Sequence, residues 1–158
     1  MNYKSTYLED LGVTVQASEF SLGQGITEWH LMLHVEPRGE LFEGQMNRIY
    51  EAESRIPDMP YFEGAQCVMK RYFLSDSTNQ QPLMREDAGV SVSYIQQQPL
   101  DGSKIAVWLY LQRGMELSTE HGVVVARHNG YSHLWKMGMI CSEGDSAHQT
   151  TAVLKEYE

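Results

Sequence analysis

Residues 26–35 read Ile-Thr-Glu-Trp-His-Leu-Met-Leu-His-Val, with a large apolar side chain at every second position from Trp29 onward. Side chains alternate between the two faces of a strand. One face would therefore carry Trp29, Leu31, Leu33 and Val35, and the other Glu28, His30, Met32 and His34. Strand character extends back to Gly12, and Leu22-Gly23-Gln24-Gly25 interrupts it. The sequence predicts a β-hairpin over Gly12–Val35 with one apolar face.

Downstream of this hairpin the hydrophobic period switches between that of helices and that of strands. The predicted helices are 41–55 and 82–86, and the predicted strands are 65–74, 90–96 and 104–111. Pro57 and Pro60 end the first helix, and Pro82 suits the first turn of the second. Pro99-Leu100-Asp101-Gly102 is a turn sequence, so the last two strands are expected to pair as a hairpin. Residues 1–118 thus form an α+β domain, a mixed sheet with two helices packed on one face.

The remaining segment, 119–158, repeats only part of this pattern. Gly122–Ala126 and Leu134–Cys141 are predicted strands, and Ser146-Ala147-His148-Gln149 has the form of a capping box that begins a helix. No helix-stop signal precedes Glu158. We expect 119–158 to be the opening β-β-α segment of a second similar unit. Its apolar side chains must be covered by the sheet of the first unit or by another chain.

This order of elements resembles the RidA/YjgF family. Residues 68–76 read Val-Met-Lys-Arg-Tyr-Phe-Leu-Ser-Asp, similar to the family strand Val-Val-Lys-x-x-Val-Phe-Leu-x-Asp. Gly130-Tyr131-Ser132-His133 is similar to the family's early Gly-Pro-Tyr-Ser-Gln element, and Gln149-Thr150 to its helix-opening Gln-Thr. The resemblance implies a RidA/YjgF-like (chorismate-mutase-like) fold. Two copies in one chain resemble the tandem-domain, chorismatase-like branch, with the second domain incomplete here.

The resemblance also implies which groups the family's imine chemistry requires. An Arg at the start of the strand after the second helix binds the substrate carboxylate, but this chain has Val90-Ser91 there, and Arg85 comes too early. A Glu on the last strand serves proton transfer, but Lys104–Tyr110 contains no acid. We therefore expect a structural or small-ligand-binding unit. The alternative is an imine deaminase or chorismate hydrolase whose site forms at a subunit or domain interface.

Three residues are candidates for ligand binding, and no residue is assigned to catalysis. Tyr131 and Ser132 match the element that lies beside the family's ligand cleft, although a turn with a packed Tyr is the ordinary alternative. Lys70 and Arg71 are adjacent on a strand, so they point to opposite faces. Arg71 is our candidate for binding a small carboxylate-bearing metabolite.

Composition narrows the classes of partner. The net charge of −9 disfavours nucleic acid and acidic membrane surfaces, because both are bound mainly through Lys and Arg. Cys67 and Cys141 have no paired spacing, which is typical of thiols in a reducing compartment, and we expect a cytoplasmic protein. The histidines show no zinc-site spacing, so we expect neither a metal nor a cofactor. A homo-oligomer, trimer or dimer, is expected.

Overall fold

A computed structural model of the chain describes residues 1–85, 87, 89–120, 123–136 and 146–155. It shows an α+β protein with a six-stranded mixed sheet and a separate three-stranded sheet. The first sheet contains β1 (Asn2–Leu8), β2 (Val13–Gly23), β3 (Ile26–Val35), β4 (Gln66–Leu74), β5 (Ser91–Gln96) and β6 (Ile105–Arg113). The second contains β7 (Glu116–Glu120), β8 (Val123–His128) and β9 (Tyr131–Trp135), and the helices are α1 (Phe42–Arg55), α2 (Ser77–Gln80) and α3 (Ser146–Lys155).

The predicted hairpin is confirmed as β2 and β3, which pair antiparallel along their length. The alternation in β3 also has the predicted sense, since Trp29, Leu31 and Leu33 are almost completely buried. Their face of the sheet is covered by α1, and we call it the helix face. The opposite side, which carries His30 and Met32, is the open face. Burial of the alternate apolar side chains fixes the register of the pair.

The prediction that the last two strands of the first unit form a hairpin is wrong. The sheet order is β1-β2-β3-β6-β4-β5, so β6 lies between β3 and β4 and is antiparallel to both. Among the described strands, β5 pairs with β4 alone, in parallel. The reason is burial: β6 is apolar on both faces and needs a central position, whereas β5 is half-buried and suits an edge. The turn Pro99–Gly102 belongs to the connection between two non-adjacent strands.

Helix α1 has the predicted extent, and its buried side chains include Phe42, Met46 and Ile49. The predicted helix 82–86 is corrected to the single turn α2, which starts earlier because the Asp76 carboxylate accepts a hydrogen bond from the Asn79 amide (3.3 Å). Pro82 lies in the 3₁₀ turn Gln81–Leu83 that follows, and Glu86 lies outside the described residues. The second helix therefore covers little of the sheet.

Two strands had no predicted counterpart. Strand β1 is an edge strand whose side chains are mostly exposed on both sides, including Tyr3 and Tyr7. Strand β7 is similarly polar and begins at Glu116, within the predicted first unit 1–118. Neither strand has a buried face, so neither shows the period-2 alternation on which recognition of strands depends.

The three-stranded sheet packs against the open face of the six-stranded sheet. Val124 and Trp135 contact a second apolar cluster that contains Val68, Met69 and Tyr110. Gly114 makes the reversal after β6 with φ +84°, and a Cβ there would collide with the carbonyl oxygen of Gly25. Segment 119–158 was expected to be covered by the first sheet or by another chain, and β8 and β9 pack on the first sheet of the same chain.

The predicted elements of this segment have the following outcomes. The first predicted strand corresponds to β8, and the second is observed as Tyr131–Trp135, earlier than predicted. Helix α3 begins at Ser146 as expected. Residues 137–141, residues 156–158 and the side chains that would form the capping box lie outside the described part of the chain.

Replacement of a core residue tests the assignment of the two faces. Leu31 is 0% exposed, so Leu31→Ala is expected to lower the free energy of unfolding by about 2–5 kcal/mol through lost contacts and a residual cavity. Leu100 is fully exposed, and the control Leu100→Ala should change it by less than about 0.5 kcal/mol. Urea unfolding followed by circular dichroism measures both, and similar values for the two variants would contradict the fold described.

Candidate functional site

A cleft of about 560 Å³ lies in the seam between the open face and strand β9. We call it the seam cleft. It is lined by His30, Met69, Trp108, Tyr110, Ser132, His133, Leu134 and Trp135. Three strands of the first sheet supply the floor and one strand of the second supplies the wall. The cleft therefore exists only because the two sheets pack together.

The floor of the cleft is a row of rings. The His30 imidazole stacks against Tyr110 with centroids 4.8 Å apart and against Trp108 at 5.7 Å. Trp108 Nε1 donates a hydrogen bond to His30 Nδ1 (3.2 Å), which places the proton of the neutral imidazole on Nε2. Burial lowers the pKa of His30, and the nearby Glu28 charge opposes this only in part. The floor is thus a neutral, aromatic surface at pH 7.

A hydrogen-bonded group adjoins this floor. Gln112 is 0% exposed, and its Nε2 donates to Glu28 Oε1 (2.8 Å) and to the Tyr110 hydroxyl (2.5 Å). Burial raises the pKa of Tyr110, and its hydrogen bond to Glu28 raises it further. Gln112 Oε1 is buried without a hydrogen-bond partner among the described residues. The group holds Tyr110 in place as a neutral phenol.

The wall of the cleft is also aromatic. His128 stacks on Tyr131 with centroids 4.5 Å apart, and His133 contacts Tyr131 at 5.2 Å and Trp135 at 5.3 Å. Burial lowers the pKa of His128, as does the neighbouring His133. Three buried ring nitrogens have no hydrogen-bond partner within the described part of the chain. They are both nitrogens of His128 and Nδ1 of His133. The seam therefore contains ring nitrogens that make no hydrogen bond to the described residues.

Of the three predicted ligand-binding residues, one lines this cleft and two lie near residues that line it. Ser132 lines it, and Tyr131 lies next to His133 on the same strand, with 45% of its surface exposed. Arg71 lies on the open face, with its guanidinium 5.4 Å from the Trp108 ring centre, and its Nε donates to Ser93 Oγ (3.0 Å). As predicted, Lys70 points to the other face. Among the described residues, Arg71 has no carboxylate partner within ion-pair distance.

Sequence reasoning did not identify the floor of the cleft as a site. His30 and Glu28 come from β3, and Trp108, Tyr110 and Gln112 from β6, which lie far apart in the chain. The available signal was that the open face of both strands carries aromatic and polar side chains with the same alternation. These side chains come together only when β3 pairs with β6. The sequence instead predicts that β6 pairs with β5, so it does not predict the site.

The open face also contains a separate groove of about 350 Å³. Its walls include Met32, Phe73 and Leu100, and its charged group is Asp101, 3.8 Å from the His34 imidazole. It contains no guanidinium. The expected trimer or dimer stays a prediction, because the face that motivated it is partly covered by β8 and β9 of the same chain.

Two other kinds of feature that bear on function are a metal site and a membrane-spanning helix. Residues 1–85, 87, 89–120, 123–136 and 146–155 contain no group of three or more His, Cys, Asp or Glu side chains arranged to hold a metal ion. Among the helices in those ranges, none has the length and apolar character required to span a bilayer. Comparison of the chain with protein-family models, curated proteins and solved structures found no match.

Acid titration tests the environment of His30. Its pKa in the fold lies below the ordinary value of 6.5, so the unfolded chain takes up the proton first. The stability contributed by neutral His30 is therefore present above pH 6.5 and is lost as the pH falls below it. We expect the melting temperature of His30→Gln to fall less steeply with acid than that of the wild type. Identical slopes for His30→Gln and wild type would contradict the assignment.

Proposed function

We propose that this chain is a RidA/YjgF-like unit that binds a small carboxylate-bearing metabolite in the seam cleft. One observation carries the proposal: Arg71 holds a guanidinium beside an aromatic floor, with no carboxylate partner among the described residues. A guanidinium binds a carboxylate through two parallel hydrogen bonds. The ligand class is therefore a planar or apolar body with one carboxylate.

The chemistry of the cleft supports both halves of such a ligand. Trp108, His30 and Tyr110 offer ring surfaces for a planar body, since offset and edge contacts between rings add to the burial of apolar area. Ser132 lines the wall and is available for a further hydrogen bond. Arg71 Nε is fixed by Ser93, which orients the remaining guanidinium donors before the ligand arrives.

The order of elements supports the RidA-like part of the proposal. The first unit runs β1-β2-β3-α1 before the parallel β4–β5 crossover, and the segment from β7 to α3 repeats the same β-β-β-α order. The sequence predicts two strands and a helix for the second unit, and β7 is a third strand in front of them. Ser132 of this unit lines the seam cleft and Tyr131 lies on the same strand, which supports a ligand beside this element, as the resemblance implies.

Replacement of Arg71 tests the proposed function. Benzoate is a suitable probe, because it has a planar ring and one carboxylate, and Trp108 and Trp135 line the cleft as fluorescent reporters. We expect benzoate to change the tryptophan fluorescence, and Arg71→Gln to weaken binding by roughly tenfold or more, the effect of losing a charge-assisted interaction of about 1.5–3 kcal/mol. Arg55→Gln is the matched control, since Arg55 pairs with Asp10 and Glu51, away from the open face. Equal binding of benzoate and neutral benzamide would refute the carboxylate site.

The competing function is imine hydrolysis. Arg85 extends over the Tyr50 ring of α1, 4.5 Å from its centre, on the side opposite to the seam cleft, and β6 contains no acid. We expect consumption of a 2-aminoacrylate-type imine by this chain at the background rate, because Arg85 lies on the other side of the sheet and β6 supplies no Glu for proton transfer. Absorbance of the imine measures this directly. Turnover well above background that Arg85→Gln abolishes would favour the enzyme instead.

A further inference from the structure

A second pair of cavities lies on the helix face, away from the seam cleft. Because α2 is a single turn, the sheet beside β4 and β5 has no long helix above it. An inner cavity of about 190 Å³ has mostly apolar walls, including Ile56, Phe62, Leu109 and Leu111. An outer cavity of about 220 Å³ is polar and includes Tyr50, Ser54 and Arg85. Glu53 and Lys70 line both cavities.

The two residues that line both cavities form a buried ion pair. Lys70 Nζ lies 2.6 Å from Glu53 Oε2 and 3.0 Å from Asp87 Oδ2, and the Tyr72 hydroxyl donates to Glu53 Oε1 (2.8 Å). Burial by itself would lower the pKa of Lys70, but the two carboxylates outweigh burial and raise it. Lys70 therefore acts at neutral pH as a fixed positive charge and not as an amine nucleophile.

The remaining charged group is Arg85, at the outer cavity. Its guanidinium lies over the Tyr50 ring, and its backbone amide donates to the Tyr50 hydroxyl (2.9 Å). No carboxylate among the described residues lies within ion-pair distance of it. The described charges that line the cavities are thus two cations, Lys70 and Arg85, and two anions, Glu53 and Asp87.

We propose that these cavities bind a free α-amino acid with an aliphatic side chain. The α-carboxylate lies at Arg85 and Lys70, the α-ammonium at Asp87 and Glu53, and the side chain enters the inner cavity beside Leu109 and Leu111.

The charges favour a zwitterion over a ligand that carries a single charge. The four groups sum to zero, so a monoanion or a monocation would leave one charge uncompensated in a partly buried site, whereas a zwitterion leaves none. Among the described residues, the Glu53–Lys70 pair supplies all the charged groups that line the inner cavity. Cys67 also lines it, but burial raises the pKa of its thiol to about 12, so it adds an apolar, unreactive surface.

Three matched probes test this site by titration calorimetry at neutral pH. L-Leucine carries both head groups, 4-methylpentanoate lacks the ammonium, and isopentylamine lacks the carboxylate. We expect L-leucine to bind at least about tenfold more tightly than either analogue. Arg85→Gln and Asp87→Asn change one contact each at the outer cavity and should each weaken L-leucine binding by roughly tenfold. Ala65→Leu fills the inner cavity and should weaken binding of L-leucine more than binding of L-alanine.

The controls separate this site from the seam cleft. Arg71→Gln should leave L-leucine binding unchanged, and Arg85→Gln should leave benzoate binding unchanged, so each site can fail without the other. Circular dichroism of every variant establishes that it is folded. The proposal is overturned if L-leucine does not bind, if it binds no better than both analogues, or if folded Arg85→Gln and Asp87→Asn bind it like the wild type.

Discussion

Strand β6 presents large side chains to both faces of the sheet. Ile105, Val107 and Leu109 point to α1, and Trp108 and Tyr110 point to the other side. Burial of a large apolar side chain contributes about 1.5–3 kcal/mol, so a strand of this kind is stable only with a layer on each side. The central position of β6, the single helix layer and the docking of β8 and β9 all satisfy this one requirement. The seam cleft is the gap that this second layer leaves over the open face.

The sequence determines local elements well and their partners less well. Strand β3 and helix α1 were predictable because each buries one face and so shows a clear period. Strands β1 and β7 were not, because edge strands with two polar faces lack that period. The pairing of β6 was mispredicted because the turn sequence at 99–102 favoured a local hairpin, whereas burial on both faces favoured a distant partner. The floor of the cleft depends on that pairing and could not be predicted without it, but Arg71 needed only strand alternation.

Two neighbouring cations lie in different electrostatic environments, one on each face of the sheet. Lys70 and Arg71 follow one another on β4, yet one is buried with Glu53 under α1 and the other lies on the open face beside Trp108. Removing one partner of a buried ion pair costs about 3–5 kcal/mol, so Lys70 and Glu53 constrain each other strongly. Arg71 is under no such constraint, because Ser93 is a neutral partner. The two faces of the sheet therefore carry separate charged groups.

Strand β4 contains an irregularity whose effect extends beyond its own ladder. Cys67 is paired with Leu111 and Met69 with the next residue, Tyr110, so Val68 is an extra residue in the strand. On either side of it, Cys67 and Lys70 keep the helix face, while Val68 joins the cluster beneath the second sheet and is fully buried. The extra residue thus adds a contact between the two sheets, while the pairing of β4 with β6 continues on either side of it.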